Sequence, residues 1–205
     1  MTSIHNDISP YRFHKKIGGN LVDVKSVVPV GAEAHTFEPT AKTMVDVANA
    51  NLYVYNGAEL KLCRCSSSGL QTSNVKILKA IEGIELIEFA HKHDQEEQEH
   101  TEDDHGHDHD VKNAESDSNG EEDPHVWLDP IRAIQMAENI KNALVQLMPE
   151  EATQFERNFE ALQQQLQALD QKFTEMVAKV PNDTIIVSHA GYGYWTDRYG
   201  IKQSV

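Results

Sequence analysis

The chain is acidic: among its 205 residues, 33 Asp and Glu outnumber 18 Lys and Arg, which gives a formal net charge of -15. This balance excludes partners recognised through a phosphate backbone and docking on anionic lipid, because both require basic patches. With 39% hydrophobic residues the chain can form a core. No apolar run approaches the roughly 20 residues that are needed to cross a bilayer.

The amino terminus and the cysteines exclude further classes. The first residues lack the basic and apolar regions of a secretory signal, so we expect no export signal in the chain. Cys63 and Cys65 are separated by a single residue, which is too close for an ordinary disulfide and is not the spacing of a zinc-binding C-x-x-C pair. Neither a disulfide framework nor a thiolate zinc site is expected.

Strand and helix patterns alternate along the chain. Thr40 is a suitable N-cap for a helix with Met44, Val45 and Ala48 on its apolar face. β-branched and aromatic runs predict strands at 21–30, 51–55, 85–89 and 184–188. Strands separated by helices indicate an α/β fold in which helices flank a parallel sheet.

Two helices are predicted in the second half. Asp129 as N-cap and Pro130 at the first helical position begin a helix that ends before Pro149. A second helix over 149–179 places apolar residues at alternating spacings of four and three, from Phe155 to Val180. This stripe suits either a coiled-coil dimer or one long helix packed against two lobes.

Residues 91–123 carry most of the charge. They include 14 acidic and 2 basic residues, a net -12 of the total -15, and six of the 11 histidines. Without apolar periodicity this stretch cannot offset the entropy of ordering, so we expect a mobile loop. Its imidazoles favour weak capture of several metal ions, and the alternative is a solvated spacer.

Five histidines lie outside this loop. His5 and His14 stand in an undistinguished stretch and are expected at the surface. His35 and His189 each follow a predicted strand, and His125 immediately precedes the capped helix. Open α/β sheets bind ligands beyond the carboxyl ends of their strands, where His35 and His189 are expected. Together with His125, these imidazoles from separate segments form a candidate zinc site. A fourth position would remain for water or a carboxylate.

Several segments together resemble the zinc-type metal solute-binding receptors of bacterial ABC transporters. They are GAEAHTFEPT (31–40), NLYVYNGAEL (51–60), the His-rich acidic loop, DPHVWLDP (123–130), the long helix and SHAGYGYWTDRYGIKQ (188–203). The resemblance implies two α/β lobes joined by a backbone helix rather than a coiled coil, with the metal in the cleft between the lobes.

The same resemblance implies a site and a role. His35, His125 and His189 would be the metal ligands, and His189 indicates the zinc type because manganese members carry Glu at that position. It further implies an extracytoplasmic receptor, not an enzyme, that delivers Zn²⁺ to an ABC permease. The expected domains are an amino-terminal lobe (1–148), a linking helix (149–180) and the start of a truncated second lobe (183–205). Segment 61–75 departs from the helix expected there.

Two other functions remain open from the residues alone. A soluble zinc buffer would need only the acidic loop. A zinc hydrolase could use three histidines and a water, but the chain has no H-E-x-x-H motif and no evident general base beside the trio.

Overall fold

A computed structural model describes residues 1–5, 8–29, 32, 37–57, 74–88 and 122–204. His35, both cysteines, residues 61–73 of segment 61–75 and residues 91–121 of the acidic loop lie outside these ranges. None of the helices within the described ranges is long and apolar enough to cross a membrane.

Four parallel strands form the main sheet in the order β2-β1-β3-β4, and two more pair in parallel as β5-β6. The strands are β1 (Thr2–His5), β2 (Asp23–Ser26), β3 (Leu52–Tyr55), β4 (Lys76–Lys79), β5 (Thr184–Ile186) and β6 (Lys202–Ser204). The α-helices are α1 (Ile8–Gly18), α2 (Ala41–Ala48), α3 (Pro130–Leu147), α4 (Ala152–Val177) and α5 (Gly193–Tyr199). Parallel sheets with flanking helices confirm the predicted α/β class.

Both predicted helix caps are confirmed. The Thr40 side chain accepts a hydrogen bond from the backbone N–H of Thr43 (3.2 Å) at the start of α2. The Asp129 carboxylate accepts from the N–H groups of Ile131 (2.8 Å) and Arg132 (3.3 Å) at the start of α3. These bonds satisfy N–H groups that have no partner within the first turn of a helix, which is why the helices begin where the sequence places them.

The sheet is covered on both faces, as parallel sheets usually are. Leu52 and Val54 of β3 belong to the larger core cluster, which also takes in residues of α1, α3 and α4. Tyr53, between them in sequence, belongs to the opposite cluster together with Val47 of α2. The alternation follows from the two-residue period of a strand.

The long helix is confirmed with adjusted ends. It begins as a 3-10 turn over Pro149–Glu151 and continues as α4. Phe155, Phe159 and Leu162 are buried in the larger cluster. Further along, Leu169 and Met176 are 45% and 51% exposed, so the fully buried residues of the apolar stripe are confined to its first half.

The strand predicted at 85–89 is wrong. The sheet instead takes β4, which pairs with β3, and within 85–88 only Glu88 pairs, in an isolated antiparallel bridge with Glu122. The turn after β4, in which Gly83 adopts a φ of 73°, carries the chain off the sheet edge before the more apolar segment is reached. The strand that pairs with β3 is therefore β4, a segment that the sequence analysis did not predict as a strand.

The prediction that His5 and His14 lie at the surface is also wrong. The stretch 1–18 forms β1 and α1, and β1 lies between β2 and β3 in the sheet. Both histidines are fully buried, with His5 Nε2 2.6 Å from His14 Nδ1. Sequence periodicity missed this because the residues of β1 that contact His14 of α1 are the polar Ser3 and His5.

Burial keeps this histidine pair neutral. Desolvation lowers the pKa of His14 to about 3 and lowers that of His5 well below its ordinary value of 6.5, with a further lowering from His14. Stability from the neutral pair is fully present above about pH 6.5. It is lost as the pH falls, because the unfolded chain takes up protons that the folded chain excludes.

We therefore predict an acid-sensitive fold. Between pH 7 and pH 5 the free energy of unfolding should fall by about 2 kcal/mol for each buried histidine. Urea unfolding of the wild type and of the double variant His5→Phe/His14→Leu at both pH values measures this, and the variant should lose most of the extra pH dependence. His189→Ala, which alters an exposed histidine, is the control and should retain it. Equal pH dependence in all three proteins would contradict the prediction.

Candidate metal centre

Two of the three predicted ligands meet in the structure. The Nε2 atoms of His125 and His189 lie 3.0 Å apart, although the residues are 64 positions apart in sequence. His125 is buried, at 6% exposure, and follows the acidic loop just before α3, whereas His189 is exposed and follows β5. The third predicted ligand, His35, lies outside the described residues.

Asp123 fixes the orientation of the His125 ring. One oxygen of its buried carboxylate, Oδ1, accepts from His125 Nδ1 (2.6 Å) and from the His125 backbone N–H (2.9 Å). Since a carboxylate accepts rather than donates, the hydrogen-bond pattern assigns the ring proton to Nδ1. The lone pair on Nε2 is then directed toward His189. Metal-binding histidines commonly have such a carboxylate on the ring nitrogen that does not bind the ion.

Helix α5 docks on the segment that contains Asp123 and His125. The Tyr194 hydroxyl donates to the Asp123 carbonyl (2.8 Å), and the Trp195 indole N–H donates to the Leu128 carbonyl (2.9 Å). Tyr194 is fully buried. Its pKa is raised to about 12, chiefly by burial, so the hydroxyl keeps its proton and acts as the donor.

Ion pairs join the helices behind the two histidines. Arg132 of α3 contacts the carboxylates of Asp129 (2.7 Å) and Asp197 (2.9 Å), the second of which is on α5. Arg198 of α5 makes two hydrogen bonds to Asp170 of α4, at 2.5 and 2.8 Å. These ion pairs hold α5 against the start of α3 and the second half of α4. His125 lies just before α3 and His189 just before α5, so the same ion pairs limit the positions of both histidines.

Two glycines allow the close approach. Neither Gly191 nor Gly193 has a positive φ, so space rather than backbone conformation requires them. A Cβ on Gly191 would lie 3.1 Å from His125 Nε2 and 3.0 Å from His189 Cδ2. A Cβ on Gly193 would lie 2.7 Å from Asp123 Oδ2, closer than real contacts permit.

The facing nitrogens open onto a cavity of about 310 Å³. It is lined by His125, Leu128, Ile186, Val187, Ser188, His189, Gly191 and Tyr192. Two imidazoles bound to one tetrahedral zinc at 2.0–2.1 Å would have their nitrogens about 3.3 Å apart, so the observed pair needs only a small adjustment. Within the described ranges no group of three or more His, Cys, Asp or Glu side chains is arranged to hold a metal ion. The described part therefore supplies a two-nitrogen half-site.

Asp123 was not predicted as a site residue because it is the last residue of the acidic run 91–123. The structure instead places Asp123 in the folded core, where its backbone N–H donates to the Ile87 carbonyl (2.9 Å). The available signal was its position two residues before His125, from which a carboxylate can reach both the backbone N–H and the ring of the histidine. The glycines of SHAGYGY likewise had no role assigned from sequence.

Comparisons with known proteins identify a matching family and several relatives. A family model described as "Zinc-uptake complex component A periplasmic" (ZnuA) matches residues 9–205. The chain is 31% identical over 194 residues to the zinc-binding lipoprotein AdcA of Streptococcus pneumoniae, covering 94% of this chain and 36% of that protein. It is 29% identical to the high-affinity zinc uptake system protein ZnuA of Bacillus subtilis, covering 94% of this chain and 56% of that protein.

A solved structure shares the fold. The Zn(II)-bound ZnuA-like domain of Streptococcus pneumoniae AdcA superposes with a TM-score of 0.80 at 26% identity, covering 99% of this chain and 65% of that domain. The chain thus spans only part of the relatives that it matches. Because the family model covers nearly its entire length, the chain belongs to the ZnuA family of zinc-uptake components.

Proposed function

We propose that this chain binds Zn²⁺ as cargo through His125, His189 and His35. The observation that carries the proposal is the pair of Nε2 atoms 3.0 Å apart, with the lone pair of His125 set by Asp123. Zinc favours imidazole nitrogen, and three protein ligands leave its fourth position for water or a carboxylate. The names of the relatives, a zinc-binding lipoprotein and a zinc uptake system protein, point to the same ion.

The cellular role follows as a wider proposal. The protein would act outside the cytoplasm, capturing zinc and delivering it to an ABC permease. The family description supports this role, since it names a periplasmic component of a zinc-uptake complex. Transport of cargo is favoured over hydrolysis. The Asp123 carboxylate, which contacts His125, accepts hydrogen bonds from the ring and the backbone of that residue. It is therefore not directed at the cavity, as a general base would be.

We predict that His125→Ala and His189→Ala each abolish tight zinc binding. Loss of a ligand should weaken affinity by more than the roughly 10–100-fold that loss of a partner behind a ligand costs. Competition against a chromogenic chelator measures the affinity. Ser188→Ala is the matched control, because Ser188 is exposed and lines the same cavity beside His189. Unchanged affinity in both histidine variants would exclude this site.

The acidic loop can be tested separately because described residues on either side of segment 91–121 pair with each other. Glu88 and Glu122 form an antiparallel bridge, so a short Gly-Ser linker can replace residues 91–121 while Asp123 stays in place. We expect the shortened protein to keep one tight zinc site and to lose any weak sites, as seen by calorimetric titration. If tight binding disappears with the loop, the protein is a zinc buffer rather than a receptor with a folded site.

Gly191→Ala tests the geometry of the site without removing a ligand. The added methyl group would press on His125 Nε2 and His189 Cδ2, and thus on the atoms that must turn toward the ion. We expect weaker zinc binding with little change in the melting temperature of the metal-free protein, because the added group faces the cavity rather than the core. Wild-type affinity in this variant would show that the ion is not bound between these two rings.

A further inference from the structure

The two histidines are held in place by helix α5, which touches the chain behind the site rather than the cavity. The hydroxyl of Tyr194 reaches the backbone carbonyl of Asp123, and the carboxylate of the same Asp123 holds the ring of His125. One buried residue on α5 therefore contacts the element that orients a ligand. The chain reaches α5 from His189 in only four residues, so α5 also limits where His189 can lie.

The packing around this contact leaves little freedom. Tyr194 and Asp123 are both buried, at 0% and 1% exposure. Arg132 lies over the Tyr194 ring, 5.0 Å from its centroid, while also pairing with Asp197 of the same helix. Gly193 brings the start of α5 so close to the Asp123 carboxylate that no Cβ fits between them.

We propose that Tyr194 is a positioning residue that presets His125 for zinc by holding Asp123, with Gly193 providing the close approach. This rests on the proposed function, since it explains how that site is organised before the ion arrives. Preorganisation matters because a ligand that is already oriented loses less conformational entropy on binding.

The test compares Tyr194→Phe with Tyr199→Phe. Each variant loses one hydroxyl from α5, but the Tyr199 hydroxyl donates to Asp170 of α4 and not to the segment that carries His125. Zinc affinity is measured by chelator competition. In the metal-free protein, nitrogen-15 NMR measures the rate at which the His125 Nδ1 proton exchanges with solvent. A general loss of stability would not change the exchange rate of this one proton selectively.

We expect Tyr194→Phe to weaken zinc binding about three- to tenfold, the change that one hydrogen bond is worth, and to speed exchange of the His125 ring proton by a similar factor. Tyr199→Phe should leave both values at wild type. Gly193→Ala, which displaces the Asp123 carboxylate while keeping the Tyr194 hydroxyl, should reproduce the Tyr194→Phe pattern.

Equal effects of the two tyrosine variants, or wild-type values in Tyr194→Phe, would overturn the positioning role. Failure of the proposed function would give a different result: His125→Ala and His189→Ala would bind zinc as tightly as the wild type. The exchange of the His125 ring proton, measured without metal, would then decide the role of Tyr194 alone.

Discussion

The candidate site depends on the docking of α5 against residues 123–129. Complete burial of an aromatic side chain such as Tyr194 stabilises a fold by roughly 1.5–3 kcal/mol, whereas an exposed ion pair contributes about 0–1 kcal/mol. The Asp197 side chain is 47% exposed, so its ion pair with Arg132 helps to orient α5 more than it stabilises the fold. Apolar burial thus holds α5 in place, and the hydrogen bonds to the Asp123 and Leu128 carbonyls set its register.

This docking connects two parts of the chain with different exposure. His125 is enclosed and its ring is fixed by Asp123, whereas His189 is exposed on the segment between β5 and α5. The two Nε2 atoms are within hydrogen-bonding distance of each other, so an ion that binds between the rings must displace any hydrogen bond between them. The buried His125 ring is held in one orientation, whereas the exposed His189 ring can be reached from solvent.

The molecule contains a second close histidine pair, and the comparison shows what makes a pair suitable for metal. His5 and His14 are as close as His125 and His189, but both are fully buried in the sheet and α1. Among the described residues, their outer nitrogens, His5 Nδ1 and His14 Nε2, have no hydrogen-bond partner, so no described carboxylate orients either ring through these atoms. Proximity of two imidazoles is therefore insufficient: a lone pair must be directed at a space that an ion can enter.

The sequence by itself determined the α/β class, the capped starts of α2 and α3, the long helix, and His125 and His189 as partners. These follow from local chemistry: cap residues, apolar spacing and strand composition, together with a family resemblance carried by short motifs. The place of β4 was decided by hydrogen bonding along β3, and the burial of His5 and His14 by the central position of β1. Only the tertiary structure showed that the Asp123 carboxylate contacts the His125 ring and that the Tyr194 hydroxyl contacts the Asp123 carbonyl. The Tyr194 contact joins segments 71 residues apart, and a pattern along the chain contains no information on which distant backbone groups will face one another.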